Sequence, residues 1–338
     1  MKYYVLCPYG LVTGGPDALH QMVYYLNSIG KEAHLVYLNI SKKTYDIPNN
    51  YKTYANDYML INEVKDEFDT TIIIPEFLSY MTKYYKNADV RIWWLSVYYN
   101  FNQTSIPFKL FLLATYPLRL LVNRKMGFKN FNQMYSKALF KSKYKFEHES
   151  PNIRHICASY YAYNYVSKRT KNEVALCIEP ISKVFLNKSN RDNNDRSDVI
   201  LYNPKKCGKY VKKIIKKSKG LKFYALAGLS QEELIKKYQE SKLYIDFGPF
   251  PGAERIPKEA VINGCAILTG KFGAAGYRQD VVIDDKYKID ATNENIKKII
   301  EQIKYMLNNY SDIKDDFKEY ADRVYCLEDC FLKQLENI

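Results

Sequence analysis

Short apolar runs alternate with helix-spaced segments from the first residues onward, and this alternation restricts the chain to few folds. Tyr3–Cys7 is a strand-like run. Pro16–Ile29 carries Leu19, Met22, Val23, Leu26 and Ile29 at helical spacing, with Pro16 suited to a first turn and Gly30 to a stop. His34–Leu38, Thr71–Ile74 and Val90–Val97 follow as strands, and after an interruption Arg154–Ser159 and Val174–Ile178 resume the pattern. Strands joined through helices pair in parallel, so this rhythm predicts a doubly wound α/β sheet covered on both faces.

A second run of the same kind follows the polar stretch Asn187–Asp198, which has no apolar residue and reads as a linker. Strands are expected at Val199–Tyr202, Leu221–Leu226, Leu243–Phe247 and Cys265–Thr269. Helices are expected at Gly208–Ser218, Ser230–Ser241 and Ile256–Asn263, and the end, Asn293–Leu307 and Ser311–Leu335, reads as helical. With 338 residues and ~150 per domain, two α/β domains are predicted. The expected divisions are 1–186, a linker at 187–198, 199–320, and a terminal helix at 321–338 that returns to the first domain.

Charge is unevenly spread. Lys and Arg number 51 against 37 Asp and Glu, a net charge of +14. No acidic residue lies between Asp89 and Glu147, while Lys and Arg alternate there with Phe, Leu and Tyr. Within this basic aromatic insertion, about 101–146, Phe108–Val122 is largely apolar but broken by Pro117. It is short of the ~20 apolar residues that cross a bilayer. Either a helical hairpin packed on the first domain or docking to an anionic membrane surface explains it. The nine lysines from Lys205 to Lys222 read mostly as a solvated helix face. The seven scattered cysteines predict reduced, buried thiols, and the opening residues show no export signal, so the expected location is cytoplasmic. Trp93 and Trp94 fall inside a strand and are expected in the core.

In open α/β sheets ligands bind beyond the carboxyl ends of strands. Two such places stand out. Gly14 and Gly15 follow the first strand and open a helix, where the backbone can approach an anion or a sugar hydroxyl. The segment from Asp246 to Tyr277 holds two Gly-rich loops, with Arg255, Lys258 and Lys271 beside them. That arrangement suits a phosphorylated ligand, and Glu259 suits a vicinal diol.

The run Gly-Gly-Pro-Asp-Ala-Leu-His-Gln after the first strand, together with Glu259-Ala260, Gly264-Cys265-Ala266-Ile267-Leu268-Thr269-Gly270, resembles the GT-B glycosyltransferases, in particular the retaining nucleotide-sugar enzymes of bacterial surface-polysaccharide clusters. The resemblance implies two Rossmann-like domains facing across a cleft. A nucleotide-sugar donor would lie on the second, and a glycan or lipid-linked glycan acceptor on the first. It implies that Glu259 is the second of a glutamate pair, at the ribose. The first position, eight residues earlier, is Pro251, and Glu254 is the nearest substitute. It further implies Lys206 or Lys205 at the diphosphate, Gly14 and Gly15 as a mobile glycine loop, and Gly273–Gly276, with Ala274, near the donor phosphates. Gly252, Arg255, Ile256 and Lys258 complete the expected donor site.

A departing nucleoside diphosphate gains negative charge, which cations and helix-start N–H groups stabilise. The sequence lacks an Asp-x-Asp pair, so neither metal nor cofactor is expected. Should the reaction invert the anomeric centre, a base is needed, and Asp17, His20 and Glu76 are the candidates. The charge also raises nucleic-acid binding as an alternative, but no recognition module is visible and none is expected. A non-catalytic two-domain binding protein is the other alternative.

Overall fold

The structure is a computed structural model that describes residues 1–38, 40, 43, 46–98, 106–122, 144–193 and 195–338. Its first sheet has seven strands: β1 (Lys2–Pro8), β2 (Glu32–Leu38), β3 (Met59–Leu60), β4 (Thr70–Pro75), β5 (Asp89–Trp94), β6 (Ile153–Cys157) and β7 (Val174–Leu176). They run parallel in the order β3-β2-β1-β4-β5-β6-β7. The second sheet has β8 (Ser197–Tyr202), β9 (Lys222–Ala225), β10 (Ser241–Asp246) and β11 (Ala266–Thr269), parallel in the order β11-β10-β8-β9. Strand order reverses between β1 and β4 in one sheet and between β8 and β10 in the other. Those two reversals are where loops diverge and leave a crevice.

Burial on both faces explains the near-continuous apolar strands. Tyr3, Val5 and Cys7 of β1 pack into one face of the first lobe, Tyr4 and Leu6 into the other. Trp93 and Trp94 divide the same way and are fully buried, as expected. The Trp93 indole N–H donates to the Cys177 carbonyl (3.0 Å) and that of Trp94 to His155 Nδ1 (2.9 Å). Strand β5 stops at Trp94, earlier than the expected Val97. The chain turns there toward the second lobe, and the Val97 N–H donates to the Pro251 carbonyl (3.0 Å).

Among the described residues, the chain passes between lobes twice. Cys177 belongs to the first core and Ile178 to the second; later Leu327 belongs to the second core and Phe331, Leu335 and Ile338 to the first. The two crossings touch, with the Ile178 N–H donating to Gln334 Oε1 (2.9 Å). Tyr3 Oη donates to the Ile338 carbonyl (2.9 Å).

The stretch read as a linker is instead part of the second lobe. Ile181 and Phe185 before it are already in the second core. Arg196 within it is buried and donates to the carbonyls of Asn193, Tyr238, Ser241, Asn190 and Asn263. A guanidinium with five N–H donors can gather several carbonyl groups that no shorter side chain reaches.

The helix Ile106–Val122 leaves much apolar surface in solvent: Ile106 is 73% and Leu118 65% exposed, and Leu110, Phe111, Leu113 and Leu121 are also exposed. No helix among the described residues is long and apolar enough to cross a membrane. The lysines expected to extend its basic surface, including Lys137, Lys141 and Lys143, lie outside the described residues.

Candidate active site between the lobes

The loops at the two strand-order reversals meet over a cavity of about 450 Å³. From the first lobe come Thr13, Gly14 and Gly15 at the amino end of α1 (Gly14–Ser28), and Leu95 and Ser96 after β5. Lys206 comes from the first turn of the helix Pro204–Lys217, after β8. The loop after β10 adds Pro251, Gly252, Ala253 and Glu254, and the helix Arg255–Ile262 adds Arg255, Ile256 and Glu259. Glu179, after β7, completes it.

Arg255 is the centre of its charge network. Nη1 donates to Asp17 Oδ2 across the cleft (2.7 Å), and Nη2 lies 3.4 Å from Glu259 Oε1 one helical turn on. Its Nε–H is buried and, among the described residues, has no hydrogen-bond partner. Asp17 also accepts from Gln21 Nε2 (2.9 Å), and Glu259 Oε2 accepts from Tyr238 Oη (3.3 Å). Burial raises the Glu259 carboxyl above the usual range, while Arg255 and the Tyr238 hydroxyl oppose that rise.

Lys206 pairs with Glu254 and lies over the Phe250 ring, 5.7 Å from its centre. The Asn203 side chain accepts from the Lys205 N–H (3.0 Å) and caps the helix that carries both lysines. Lys206 thus stands at the positive end of a 14-residue helix. Lys205 itself is exposed and does not line the cavity.

Gly252 is glycine for a steric reason. A Cβ there would lie 2.0 Å from the Leu95 carbonyl oxygen of the opposite lobe. The second lobe makes another contact farther along, where Asp280 Oδ1 and Oδ2 accept from the Tyr160 and Tyr161 N–H groups (2.7 and 2.9 Å). Tyr160 and Tyr161 open the helix Tyr160–Ser167, so a second-lobe carboxylate satisfies the start of a first-lobe helix.

Several expected residues lie elsewhere. His20 is buried beneath α1: Nδ1 is 2.6 Å from the Pro16 carbonyl, Nε2 is 2.7 Å from Tyr37 Oη, and the ring stacks on Tyr51. The carbonyl can only accept, so Nδ1 carries the hydrogen and Nε2 accepts from the tyrosine. Burial pushes its pKa down to about 4, so it is a neutral core histidine rather than a base facing substrate. Glu76 is also buried, and its Oε2 accepts from the Leu95 N–H (3.1 Å), which fixes the turn that lines the cavity.

Lys258 points behind the helix, toward a small space beside Asp280 and Arg323. The loop of Gly273 and Ala274 is folded against the Phe250 backbone. The Ala274 N–H donates to the Phe250 carbonyl (2.9 Å), and a Cβ on Gly273, whose φ is +70°, would lie 2.0 Å from that oxygen. Neither residue lines the cavity.

Sequence reasoning brought together Gly14, Gly15, Lys206, Gly252, Glu254, Arg255, Ile256 and Glu259. It missed Glu179 and the Leu95–Ser96 turn. Glu179 had a readable signal, since Ile178-Glu179-Pro180 closes β7 as Ile74-Pro75-Glu76 closes β4. A second hollow of about 340 Å³, beside α1 and the 53–59 segment, shares no lining residue with this cavity and has His34, Asp57, Tyr24, Tyr54 and Tyr58 as its titratable lining groups.

No protein-family model matches the sequence. Comparison with curated proteins likewise finds no match. Solved structures do match in fold. Sucrose-phosphate synthase from Thermosynechococcus elongatus superposes with a TM-score of 0.63 at 10% identity, covering 99% of this chain and 97% of that one. A glycosyltransferase from Rickettsia africae gives 0.59 at 11% identity, covering 99% and 95%. The T4 phage BGT solved with its UDP-glucose substrate gives 0.50 at 12% identity, covering 99% of both chains. The likeness is one of architecture: two Rossmann-like domains facing across a cleft, the GT-B fold.

Proposed function

We propose that the chain is a glycosyltransferase that moves a sugar from a nucleotide-sugar donor to a glycan acceptor. The observation that carries this reading is the convergence of Lys206, Arg255 and Glu259 with Gly14 and Gly15 on one inter-lobe cavity. Enzymes of this architecture with donors such as UDP-glucose support it.

In this reading the donor diphosphate takes the place of Glu254 on Lys206, at the amino end of the Pro204–Lys217 helix. As the bond from the sugar to the diphosphate breaks, charge grows on the leaving oxygens. Lys206 and the helix-start N–H groups stabilise it without having to reorganise. Glu259, held by Tyr238 and Arg255, is oriented to accept hydrogens from ribose hydroxyls. Charge neutralisation rests on these groups rather than on a metal, in keeping with the missing Asp-x-Asp pair. The acceptor enters from the side of Gly14, Gly15 and Ser96. Asp17, tied to Arg255, is a lobe-joining group rather than a free base.

The acceptor is proposed to be a surface glycan, free or lipid-linked, and the protein to work at the inner face of an anionic membrane. The exposed apolar side chains of the Ile106–Val122 helix, followed by a basic segment, support interfacial docking. The test of the central reading is a thermal-shift panel of UDP-, GDP-, CMP- and dTDP-sugars. A ligand at 100 times its Kd stabilises the native state by ~2.7 kcal/mol. If no member shifts the transition, the donor reading fails.

A further inference from the structure

The donor reading leaves one buried carboxyl of the cavity without a task. Glu179 sits where the chain first crosses between lobes, is 7% exposed, and lines the cavity. Its Oε2 has no hydrogen-bond partner among the described residues. The charges that act on it are Lys258 and Arg255 from one helix and Asp17 from α1, and neither cation forms an ion pair with it. Lys258 Nζ, at the neighbouring space beside Asp280, is likewise buried without a hydrogen-bond partner among the described residues. A buried acceptor left unbonded is costly unless a ligand supplies the missing hydrogen.

The chemistry of that ligand group is restricted. Phosphate oxygens at neutral pH only accept hydrogen bonds, so a diphosphate cannot satisfy Glu179. A sugar hydroxyl can, because it donates. The cavity therefore separates two kinds of ligand group, with Lys206 suited to the anion and Glu179 to a hydroxyl. We propose that Glu179 receives a hydroxyl of the transferred sugar and selects neutral sugars over those bearing a carboxylate. This rests on the donor reading above. Burial pushes the Glu179 carboxyl up to about 7, against the pull of Lys258, its own backbone N–H and Arg255. Above neutrality it is anionic, and a uronate placed beside it would meet a like charge in a poorly solvated site.

The experiment compares bare nucleotides with their sugar conjugates on the full chain at pH 8, by calorimetry: UDP with UDP-glucose and UDP-glucuronate, GDP with GDP-mannose, and dTDP with dTDP-glucose. The wild type is expected to bind the neutral sugar conjugate of one pair more tightly than its bare nucleotide. Glu179→Leu is expected to lose about 10-fold of that sugar-dependent gain, with the bare-nucleotide Kd within about twofold. Glu179→Gln, which keeps shape and an acceptor, is expected to narrow the preference for UDP-glucose over UDP-glucuronate by about 10-fold. An unchanged sugar gain in Glu179→Leu, or equal losses for nucleotide and conjugate, overturns the assignment and leaves the donor reading standing. Should Glu179→Leu fail to fold, an unchanged neutral-over-uronate preference in Glu179→Gln overturns it. If the wild type binds none of the nucleotides, both readings fall together.

Discussion

Gly252 and Leu95 approach so closely that a single methyl group on Gly252 would lie 2.0 Å from the Leu95 carbonyl oxygen. Two lobes with separate cores are thereby brought into backbone contact at the wall of the cavity. Gly252→Ala must push that wall apart. Overpacking of this kind costs about 1–3 kcal/mol. The expected outcome is a lower melting temperature together with a larger radius of gyration in small-angle scattering; an unchanged radius would show that the contact does not hold the lobes together.

Arg255 joins the lobes through Asp17, and both side chains are largely buried. Removing one partner of such a pair strands the other charge, at about 3–5 kcal/mol. Arg255→Ala is expected to lower the urea midpoint accordingly. Arg255→Ala combined with Asp17→Asn is expected to recover part of the loss, since no carboxylate then remains unpaired at Asp17. Equal losses in the single and double variants would mean that the pair does not couple the lobes.

Lys206→Ala leaves both cores untouched, so unfolding is expected to change little. Turnover of whichever donor the thermal-shift panel identifies is expected to fall by about 10²–10³-fold in kcat, the usual effect of removing one donor to a charge that develops in the transition state. A change confined to KM would place Lys206 in ground-state binding only.

His20 sets an acid limit on stability. Its pKa is held down to about 4 in the fold, against the ordinary 6.5, because burial disfavours the imidazolium. The native state then resists protonation while the unfolded chain accepts it. Stability from this site is complete above pH 6.5 and is lost as pH falls through 4, up to about 3 kcal/mol. Chemical denaturation of wild type and His20→Gln between pH 7.5 and 4 measures it. The two curves are expected to converge toward the acid end, and parallel curves would remove His20 as the cause.

Replacing Leu110, Phe111, Leu118 and Leu121 with Ser is expected to abolish co-sedimentation with anionic vesicles while leaving donor binding unchanged. Equal sedimentation of wild type and variant would remove the helix from any interfacial role.

Much of the architecture was legible because parallel sheets are encoded locally: Tyr3–Cys7, Thr71–Ile74 and Cys265–Thr269 announce themselves as buried strands, and their carboxyl ends locate the crevice. Gly14 and Arg255 follow from that rule, and Lys206 from the resemblance to the GT-B glycosyltransferases. What failed depended on direction. His20 and Lys258 each lie on a helix beside cavity residues, yet one faces the sheet and the other a neighbouring helix, a difference of rotation that spacing alone does not report. Arg196 falls in a stretch that reads as a linker because its residues are polar, whereas its role comes from carbonyls that converge from distant parts of the chain. Gly273 was read as a ligand loop when its freedom serves a close backbone approach.

The paired crossings at Ile178 and Gln334 act as the spine of a book. With two neighbouring strands of chain stitched side by side, twisting one cover against the other would break that bond. Glu179 sits next to the spine, while Gly252 against Leu95 and Arg255 against Asp17 clasp the two covers together. A swing that opened the cleft would have to part those clasps first, so the covers stay shut until they are broken.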